Sequence, residues 1–301
     1  MSTGGKKMKT MVIGGSGFVG SHVADCLTEA GHQVIIFDLN KSTYLSHGQK
    51  MVIGDILDQK TVEKAMKGCD YIYNFAGIAD LDDASTKPLE TIKQNVLGAT
   101  VLLEASLKSK IKRFIMASTI YVYSDKGGFY RCSKQAAEIY IEEYQKQYEL
   151  DFTILRFGTL YGLRADSRNS IYRYLNQALN NGKIVCQGTG EELREYINVK
   201  DAAKLSVQIL SKEFINKHVI ITGHHVMKFG QMLQYIKEML NNKIDIEFDK
   251  SINNSNQAHY NITPYSFIPK IGTKIVSNCY TDMGQGLLEC LNEIYQGIKN
   301  E

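Results

Sequence analysis

The order of apolar and amphipathic segments predicts an α/β protein with a doubly wound parallel sheet. In the first half of the chain, short apolar runs alternate with segments of helical periodicity, as in successive strand–helix–strand units. The first apolar run leads through a glycine-rich turn directly into a helical segment. After Arg156 the alternation is less regular. Together these observations predict a Rossmann-type sheet followed by a smaller C-terminal α/β lobe that binds substrate.

The glycine-rich turn joins the predicted strand Lys9–Ile13 to the predicted helix Phe18–Ala30. Gly14 allows a tight turn, Gly17 lets backbone amides approach a pyrophosphate, and Gly20 lets the helix lie close to the sheet. The helix amides and the positive end of the helix dipole then face the anion. A merely flexible turn is the alternative, but the strand and helix on either side favour a dinucleotide site. Its predicted contacts are Gly14, Ser16, Gly17, Phe18, Val19 and Gly20.

Asp38 is the last residue of the second predicted strand, Gln33–Asp38. It follows the glycine turn by about 20 positions, which is where dinucleotide-binding folds carry an acidic residue. A carboxylate there hydrogen-bonds both hydroxyls of the adenosine ribose and repels a 2'-phosphate. An aspartate that only caps a turn is the alternative, and the spacing disfavours it. We therefore expect the cofactor to be NAD rather than NADP.

Further strands and helices complete the first half of the predicted sheet. The strands are 51–53, 70–75, 113–117 and 152–156, and the helices are 61–67, 88–108 and 130–148. Ligands of an open parallel sheet bind at the carboxyl ends of its strands, so residues at these ends are candidate cofactor contacts. The candidates, with the first two placed beside the adenine, are Asp55, Ile56, Phe75, Ala76, Gly77 and Phe157.

The second half of the chain has shorter predicted elements and longer loops. The helices are 167–181, 201–210, 229–240 and 283–295, and the strands are 183–186, 195–199, 218–221 and 243–248. We expect an NAD-binding Rossmann domain over residues 1–160, with returning segments at about 192–225. Residues 161–301 are expected to form mainly the substrate-binding lobe.

The composition argues against several classes of protein. Of the 301 residues, 44% are hydrophobic, yet no run approaches the roughly 20 apolar residues of a membrane span. The net charge of +3 is close to balance, so we expect no nucleic-acid partner and no membrane partner. The basic start of the chain lacks the apolar core of a signal peptide, and Met1–Lys7 is expected to be a disordered lead-in. These features predict a cytoplasmic protein.

The cysteines and paired histidines do not predict a metal site. The six cysteines are scattered without a CxxC pair, so reduced and mostly buried thiols are expected. His224 and His225 follow Gly223, with no cysteine or carboxylate at a metal-ligand spacing. An exposed turn is the interpretation that we favour for them.

Tyr130 and Lys134 stand at positions i and i+4 of a predicted helix and therefore share one face. A tyrosine with a pKa near 10 accepts a proton near pH 7 only if its pKa falls by about three units. Lys134 and a positively charged nicotinamide ring would both favour the phenolate. Such a pair occurs by chance on many helices, but Thr119, at the end of a predicted strand, adds a hydroxyl that would orient a substrate hydroxyl. We therefore predict a catalytic group of Thr119, Tyr130 and Lys134.

The motifs resemble those of the extended short-chain dehydrogenases/reductases, in the branch of the nucleotide-sugar epimerases and dehydratases. The resemblance covers nearly the whole chain and extends to GDP-heptose C4 dehydrogenases. The matching motifs are the glycine turn, Asp38, Gly54-Asp55-Ile56, Asn95-Val96-Leu97-Gly98, Ser118-Thr119-Ile120-Tyr121-Val122-Tyr123, Tyr130 with Lys134, Leu155-Arg156, Tyr161-Gly162, Gly188-Thr189-Gly190, Arg194-Glu195-Tyr196-Ile197 and Val199-Lys200-Asp201.

The resemblance implies roles for individual residues. Tyr130 would be the general base, Lys134 would hold the nicotinamide ribose and tune Tyr130, and Thr119 would bind the reacting hydroxyl. Arg194 would contact the substrate diphosphate, a task that suits the charge-assisted hydrogen bonds of a guanidinium. Asn95 would join the cofactor contacts.

Departures from the family pattern narrow the expected chemistry. Dehydrating members carry an Asp-Glu pair directly after the threonine, and decarboxylating members carry a glutamate nearby. Here Ile120 and Tyr121 follow Thr119. Elimination and decarboxylation therefore lack their acid, which leaves hydride transfer at one carbon, C4 of a hexose or heptose.

The substrate pocket is expected to differ from that of UDP-glucose 4-epimerases. Only 11 positions separate Thr119 from Tyr130, and Thr159 replaces an asparagine that many relatives use near the substrate phosphate. A larger sugar or a guanosine nucleotide becomes credible. The predicted substrate contacts are Thr119, Ile120, Tyr121, Thr159 and Arg194.

Three functions remain open. The first is oxidation by NAD of the C4 hydroxyl of a nucleotide-diphosphate sugar to a 4-keto sugar, with Tyr130 as base. The second is 4-epimerisation, in which tightly bound NAD returns the hydride. The third is a non-catalytic NAD-binding regulatory protein, which the presence of Thr119, Tyr130 and Lys134 disfavours.

The resemblance also implies a homodimer or homotetramer. In relatives, the helices that correspond to 88–108 and 130–148 pair between subunits as a four-helix interface. The residues that would supply small and apolar surface for it are Ala136, Ala137, Ile139, Tyr140 and Tyr144.

Overall fold

The computed structural model describes residues 7–223 and 226–249. Its strands, in chain order, are β1 (Lys9–Ile13), β2 (Gln33–Asp38), β3 (Lys50–Ile53), β4 (Tyr71–Asn74), β5 (Arg113–Thr119), β6 (Phe152–Phe157), β7 (Thr159–Tyr161), β8 (Lys183–Gln187), β9 (Leu193–Asn198), β10 (Lys217–Ile221), β11 (Val226–Lys228) and β12 (Asp245–Asp249).

The helices alternate with the strands through most of the described chain. They are α1 (Phe18–Glu29), α2 (Gln59–Met66), α3 (Leu81–Thr86), α4 (Pro88–Ile92), α5 (Gly98–Lys108), α6 (Gly128–Tyr148), α7 (Ser170–Asn181), α8 (Val199–Gln208) and α9 (Phe229–Met239). A π turn, Lys93–Leu97, links α4 to α5. Single 3-10 turns follow β5 and α8, at Ile120–Tyr123 and Lys212–Phe214.

Seven strands form one sheet in the order β10-β6-β5-β4-β1-β2-β3. Each neighbouring pair is parallel. From β1 the chain first moves outward through β2 and β3, then returns to the other side of β1 with β4. The strand order therefore reverses beside β1, and the loops after β1 and β4 diverge there to leave a crevice. The predicted Rossmann-type sheet is confirmed.

Hydrophobic layers cover both faces of this sheet. Within β1, Met11 and Ile13 belong to the cluster beneath α2, α5 and α6, whereas Val12 between them belongs to the cluster beneath α1 and α8. This alternation follows from the two-residue period of a strand. Because both faces are buried, the strands are nearly continuous apolar runs, as expected of a doubly wound parallel sheet.

A third and smaller hydrophobic cluster lies outside the main sheet. It joins α7 and α9 to β8 and is centred on Ile184, Phe229 and Leu233. Two small sheets accompany it: β11 pairs antiparallel and β7 parallel with β9, and β12 pairs parallel with β8. The expected division of the chain near residue 160 stays a prediction.

The helix predicted over 88–108 is interrupted. The π turn Lys93–Leu97 inserts one wider turn between α4 and α5, and its buried member Asn95 binds groups outside the helix. The apolar side chains change sides across this turn, since Leu89 and Ile92 are exposed whereas Ala99 and Leu103 are buried. The predicted bounds of the helical segment agree with the structure, but the π turn within it was not predicted.

Other differences concern short elements and helix ends. The sequence pattern missed α3, β7 and β11, which have six, three and three residues and are too short for a periodic pattern. The helix predicted at 61–67 begins two residues earlier because the Asp58 side chain accepts the N–H groups of Lys60 and Thr61. The strand predicted at 243–248 is observed as β12, two residues later at its start. The helix predicted at 283–295 lies outside the described residues.

The cysteines agree only in part with what their scattered positions predict. The four cysteines among the described residues are free thiols, but only Cys69 and Cys186 are buried, and Cys132 is exposed because it lies on the outer face of α6. Cys279, Cys290 and the paired histidines lie outside the described residues. No helix in the described part of the chain combines the length and apolar character needed to cross a bilayer.

Arg113 ties the start of β5 to the end of α8. Its side chain is 3% exposed, and Nη1 donates to the carbonyl oxygens of Ile209 at 2.7 Å and Ser211 at 3.3 Å. These carbonyls lie at and just beyond the C-terminal end of α8, where the helix dipole favours a cation. The guanidinium therefore satisfies the buried Ile209 carbonyl and shares the Ser211 carbonyl with the Phe214 N–H.

Replacing Arg113 by leucine should lower the free energy of unfolding by about 2–3 kcal/mol, because hydrogen bonds from a charged donor are lost and the buried Ile209 carbonyl is left unsatisfied. The matched control is Lys112→Leu at the neighbouring position, where the exposed ammonium pairs with Asp70 at 2.7 Å. The control should cost less than about 1 kcal/mol. Urea unfolding followed by circular dichroism measures both, and equal losses would contradict this account of Arg113.

Candidate active site

The glycine turn is held by close backbone contacts. Gly14 has a φ of +73°, and its N–H donates to the Phe37 carbonyl at 2.9 Å. A Cβ at Gly14 would stand 2.6 Å from the Ala76 nitrogen, and a Cβ at Gly20 would stand 2.3 Å from the Gly14 oxygen. Neither position has room for a side chain, so β1, the end of β4 and the start of α1 meet backbone to backbone.

The start of α1 leaves its amides available to an anion. Gly17 is the N-cap, and within the described residues no side chain caps the helix and no acid lies in its first turn. The first amides, those of Phe18 and Val19 among them, have no acceptor inside the helix. A Cβ at Gly17 would meet only the Gly14 oxygen, at 3.3 Å. Backbone donors, the helix dipole and an open approach together fit the pyrophosphate of a dinucleotide.

Asp38 ends β2 directly beside this turn. Its carboxylate accepts the Ser16 N–H at 3.0 Å and the Asn40 N–H at 3.2 Å, while the Ser16 hydroxyl donates to the Asn40 carbonyl at 2.9 Å. The turn-capping role considered as the alternative is therefore present. The carboxylate nevertheless stands at the carboxyl edge of the sheet next to the glycine turn, where the ribose of a dinucleotide is expected.

Asp55 and Ile56, which the sequence predicts beside the adenine, differ in what their side chains contact. The Asp55 carboxylate accepts the Leu57 N–H at 2.9 Å and so closes the turn after β3. Ile56 is 5% exposed, and its Cδ1 would lie 2.4 Å from a Cβ at Gly98. The Ile56 side chain therefore fills the core above α5, and only its backbone remains to face a ligand.

Asn95 holds the segment that follows β4. Its Oδ1 accepts the Ile78 N–H at 2.8 Å, and its Nδ2 donates to the Ile78 carbonyl and the Ser133 hydroxyl, both at 2.9 Å. A Cβ at Gly77 would stand 2.4 Å from the Asn95 Oδ1. With all these bonds made inside the protein, Asn95 positions the loop after β4 against α6. Phe75, at the start of that loop, lies with its ring centroid 6.3 Å from that of Phe157.

Thr119, Tyr130 and Lys134 come together at the carboxyl end of β5. The Thr119 and Tyr130 side chains share a hydrogen bond. The Lys134 ammonium lies 5.9 Å from the centre of the Tyr130 ring and donates to the Ala117 carbonyl at 2.9 Å. Residues separated by up to 15 positions thus form one group, with β5 supplying the threonine and α6 the other two.

Burial changes the acidity of both groups on α6. Desolvation raises the pKa of Tyr130 above its ordinary value, and the bond with Thr119 opposes the rise only in part. Desolvation also lowers the pKa of Lys134 to about 8, against the attraction of Glu138. The lowering of the Tyr130 pKa that was expected from Lys134 is thus outweighed. Deprotonation of Tyr130 near pH 7 would need further positive charge, which an oxidised nicotinamide ring bound beside it would supply.

Arg194 is buried without an acidic partner. It is 7% exposed on β9, its guanidinium lies 4.8 Å from the centre of the Phe229 ring, and no carboxylate of the described residues forms an ion pair with it. On the same face of the strand, the buried hydroxyl of Tyr196 also lacks a hydrogen-bond partner among those residues. Tyr196 pairs in register with Thr159 of β7. A buried cation without a carboxylate partner and a phenol with an unused donor fit a bound anion.

Ile120 and Tyr121, the two residues after Thr119, occupy different environments. Ile120 is 2% exposed and belongs to the interior. Tyr121 donates its N–H to the Thr119 hydroxyl at 3.3 Å, and its ring lies against Gly127, where a Cβ would approach Cγ to 3.0 Å. The Tyr121 side chain interacts electrostatically with both Tyr130 and Arg194. Tyr121 is therefore near enough to both Tyr130 and Arg194 to interact with each of them electrostatically.

The sequence analysis missed Tyr196 and overlooked the structural use of Asn95. The two-residue period of β9 places Tyr196 beside Arg194, and this signal could have identified it. The hydrogen bonds of Asn95 join segments 17 and 38 positions away, and no local pattern reports such contacts.

The NAD dependent epimerase/dehydratase family matches residues 10–222 of this chain. This range includes the glycine turn, the catalytic group and Arg194. The chain belongs to this family, and NAD is its cofactor. It is therefore an enzyme of the NAD-dependent class that includes the nucleotide-sugar epimerases and dehydratases.

Individual relatives include both kinds of enzyme. The dTDP-D-glucose 4,6-dehydratase of Dictyostelium discoideum is 27% identical over 68% of this chain and 56% of its own length, so the chain spans just over half of that relative. The putative UDP-glucose 4-epimerase of Methanocaldococcus jannaschii is 27% identical over 80% of this chain and 85% of that protein. The solved UDP-glucose 4-epimerase of Thermotoga maritima, with UDP-glucose, superimposes with a TM-score of 0.77 at 25% identity, covering 84% of this chain and 89% of that one.

Alanine at two of the turn glycines should separate packing from cofactor binding. Gly20→Ala forces a methyl group against the Gly14 carbonyl and should lower the free energy of unfolding by about 1–3 kcal/mol. Gly17→Ala has more room and should change stability less, but should weaken NAD binding about tenfold or more by narrowing the approach to the α1 amides. Urea unfolding without NAD and calorimetric titration with NAD measure the two effects. Unchanged NAD affinity in Gly17→Ala would refute the pyrophosphate placement.

Proposed function

We propose that the protein oxidises the C4 hydroxyl of a nucleotide-diphosphate sugar to a 4-keto sugar, with NAD as hydride acceptor and Tyr130 as general base. The single observation that carries the proposal is the hydrogen-bonded pair of Thr119 and Tyr130, with the Lys134 ammonium beside the tyrosine ring. In this arrangement Thr119 orients the substrate hydroxyl, Tyr130 accepts its proton, and the carbon-bound hydrogen leaves as hydride. Lys134 holds positive charge next to the developing phenolate.

Arg194 supports a nucleotide diphosphate as the remote part of the substrate. The Arg194 guanidinium is buried on β9 and forms no ion pair with a carboxylate of the described residues, and the Tyr196 hydroxyl lacks a hydrogen-bond partner among those residues. Tyr121 interacts electrostatically with both Arg194 and Tyr130, which supports an anion site near the catalytic group. A sugar joined to a diphosphate spans two such sites, so that phosphate binding places the reacting hydroxyl.

Oxidation without elimination is favoured by the residues after Thr119. Relatives include enzymes named dehydratases, but Ile120 is buried and uncharged. Tyr121 carries a phenol in place of a carboxylate, and its backbone N–H donates to the Thr119 hydroxyl at 3.3 Å. The site therefore supplies one proton acceptor for the C4 hydroxyl and no carboxylate directly after Thr119 for a second proton transfer.

Epimerisation at C4 is the second candidate, and the relatives named UDP-glucose 4-epimerases favour it. The first half of the reaction is the same, because an epimerase also forms the 4-keto sugar. The outcomes differ in whether the hydride leaves as NADH or returns to the opposite face of C4. Identification of the copurifying nucleotide, followed by product analysis with UDP-, GDP-, CDP- and dTDP-sugars, separates them. A stable 4-keto sugar with equivalent NADH supports oxidation, and a C4 stereoisomer without net NADH supports epimerisation.

Tyr130→Phe should reduce turnover of the identified sugar nucleotide by about 100- to 10,000-fold, since it removes the proton acceptor but keeps the ring. The matched control is Tyr148→Phe at the far end of α6, where the side chain is 58% exposed. Rates of 4-keto sugar or stereoisomer formation give the comparison. Full turnover by Tyr130→Phe would show that another group is the base.

We also propose that two subunits pair through α4, the π turn and α6. Of the residues expected at such an interface, Ala137 packs inside the core and the Tyr144 hydroxyl binds Glu104, so both serve the subunit itself. Ile139 remains outward-facing with 64% exposure. The exposed apolar side chains on these elements are Leu89, Ile92, Leu97, Phe129, Ile139 and Tyr140. Their clustering on adjoining elements favours burial against a second copy.

Ile139→Lys should dissociate a dimer into monomers, or a tetramer into smaller assemblies. The reason is that a symmetric interface would bury two ammonium groups, one from each subunit. Light scattering coupled to size-exclusion chromatography gives the mass. Leu179→Lys, at an equally exposed leucine of α7, should keep the wild-type mass. A monomeric wild-type protein, or dissociation by Leu179→Lys alone, would contradict this interface.

A further inference from the structure

A buried polar network lies directly beneath the catalytic group. At its centre is Glu138, one helical turn after Lys134 on α6 and 5% exposed. The Ser118 hydroxyl donates to Oε1 of Glu138 at 2.5 Å. The Arg156 guanidinium donates Nε to Oε1 at 3.2 Å and Nη2 to Oε2 at 2.5 Å. Nη1 of Arg156 donates to the Tyr123 hydroxyl at 2.5 Å, and the guanidinium lies 4.6 Å from the centre of that ring.

This network connects the elements that carry the catalytic residues. Ser118 precedes Thr119 in β5, Arg156 comes from the neighbouring strand β6, and Tyr123 lies in the 3-10 turn after β5. Glu138 lies on the same helix as Tyr130 and Lys134. Its carboxylate therefore fixes the distance and register between α6 and the end of β5, a contact that hydrophobic packing alone leaves free to slide.

The same carboxylate supplies negative charge to Lys134. Burial disfavours the Lys134 ammonium, and among the described residues Glu138 is the charged group that opposes this effect. Other charged groups on the elements packed against α6 have partners of their own. These are Asp83 with Lys87, Glu90 with Lys93 and Gln94, Glu104 with Tyr144, and Arg113 with the carbonyls of Ile209 and Ser211.

We propose that Glu138 is a positioning residue for the catalytic group: held by Ser118 and Arg156, its carboxylate sets α6 against β5 and keeps the buried Lys134 ammonium protonated. The role goes beyond the proposed reaction, because it concerns the state of Lys134 before any sugar is bound. A neutral Lys134 could still accept or donate a hydrogen bond, but it would no longer stabilise negative charge on Tyr130. Loss of the Glu138 charge should therefore narrow the alkaline side of the working pH range.

The test is a direct titration of Lys134 in the full-length protein. Lysine side chains labelled with ¹³C at Cε are followed by NMR from pH 6 to about 11, and the Lys134 signal is assigned by its loss in Lys134→Met. In the wild type, the midpoint should lie near the lowered pKa of about 8. In Glu138→Gln, it should fall by about one further pH unit, since removal of a nearby negative charge destabilises the ammonium. Glu143→Gln, at an exposed carboxylate of the same helix, should leave the midpoint in place.

Two further variants separate charge from packing. Glu138→Asp keeps the charge but shortens the arm, so its midpoint should stay closer to the wild type than that of Glu138→Gln. Arg156→Met removes the compensating cation, so its midpoint should rise, which decides the question even if Glu138→Gln fails to fold. An unchanged midpoint in Glu138→Gln, or a fall in Arg156→Met, would overturn the proposal. The titration needs no sugar nucleotide, so its failure and the failure of the proposed function are distinguishable.

Discussion

Close backbone contact at the glycine turn is the constraint on which the rest of the site depends. The Gly20 Cα packs on the Gly14 carbonyl, and Gly14 packs on the backbone after β4, so α1 lies as near to the sheet as the chain permits. This places the free amides of α1 over the crevice where the strand order reverses. Any side chain at these points would push the helix away, and with it the donors that face the pyrophosphate.

Close packing has a different consequence at the catalytic group. There, burial disfavours the charged forms of the side chains. Desolvation makes Tyr130 a weaker acid and Lys134 a stronger one, so both are driven toward their neutral forms. The free protein therefore holds a protonated phenol, and the arrangement is suited to a partner that brings positive charge. Glu138 and Arg156 together limit the cost by placing a hydrogen-bonded carboxylate one turn below Lys134.

The places where the sequence prediction failed share a physical cause. A π turn is defined by backbone hydrogen bonds that a search for a period of 3.6 does not test, and three-residue strands such as β7 are too short to show a period. Ile56 stays a predicted adenine contact, but only its backbone is available for it, because its side chain fills a space above Gly98 that the packed α5 creates. The bonds of Asn95 to Ile78 likewise depend on two segments meeting after folding.

The sequence by itself determined the sheet, the glycine turn and the family, because apolar period, turn residues and motif spacing are local properties of the chain. The pairing of Thr119 with Tyr130 was also predictable, since parallel strands bring their carboxyl ends to one edge of the sheet. Only the tertiary structure decided the acidity of Tyr130 and Lys134, the absence of a carboxylate partner for Arg194 within the described part of the chain, and the contact between Glu138 and Arg156. Desolvation and ion pairing depend on which distant groups share a space, and folding alone establishes that.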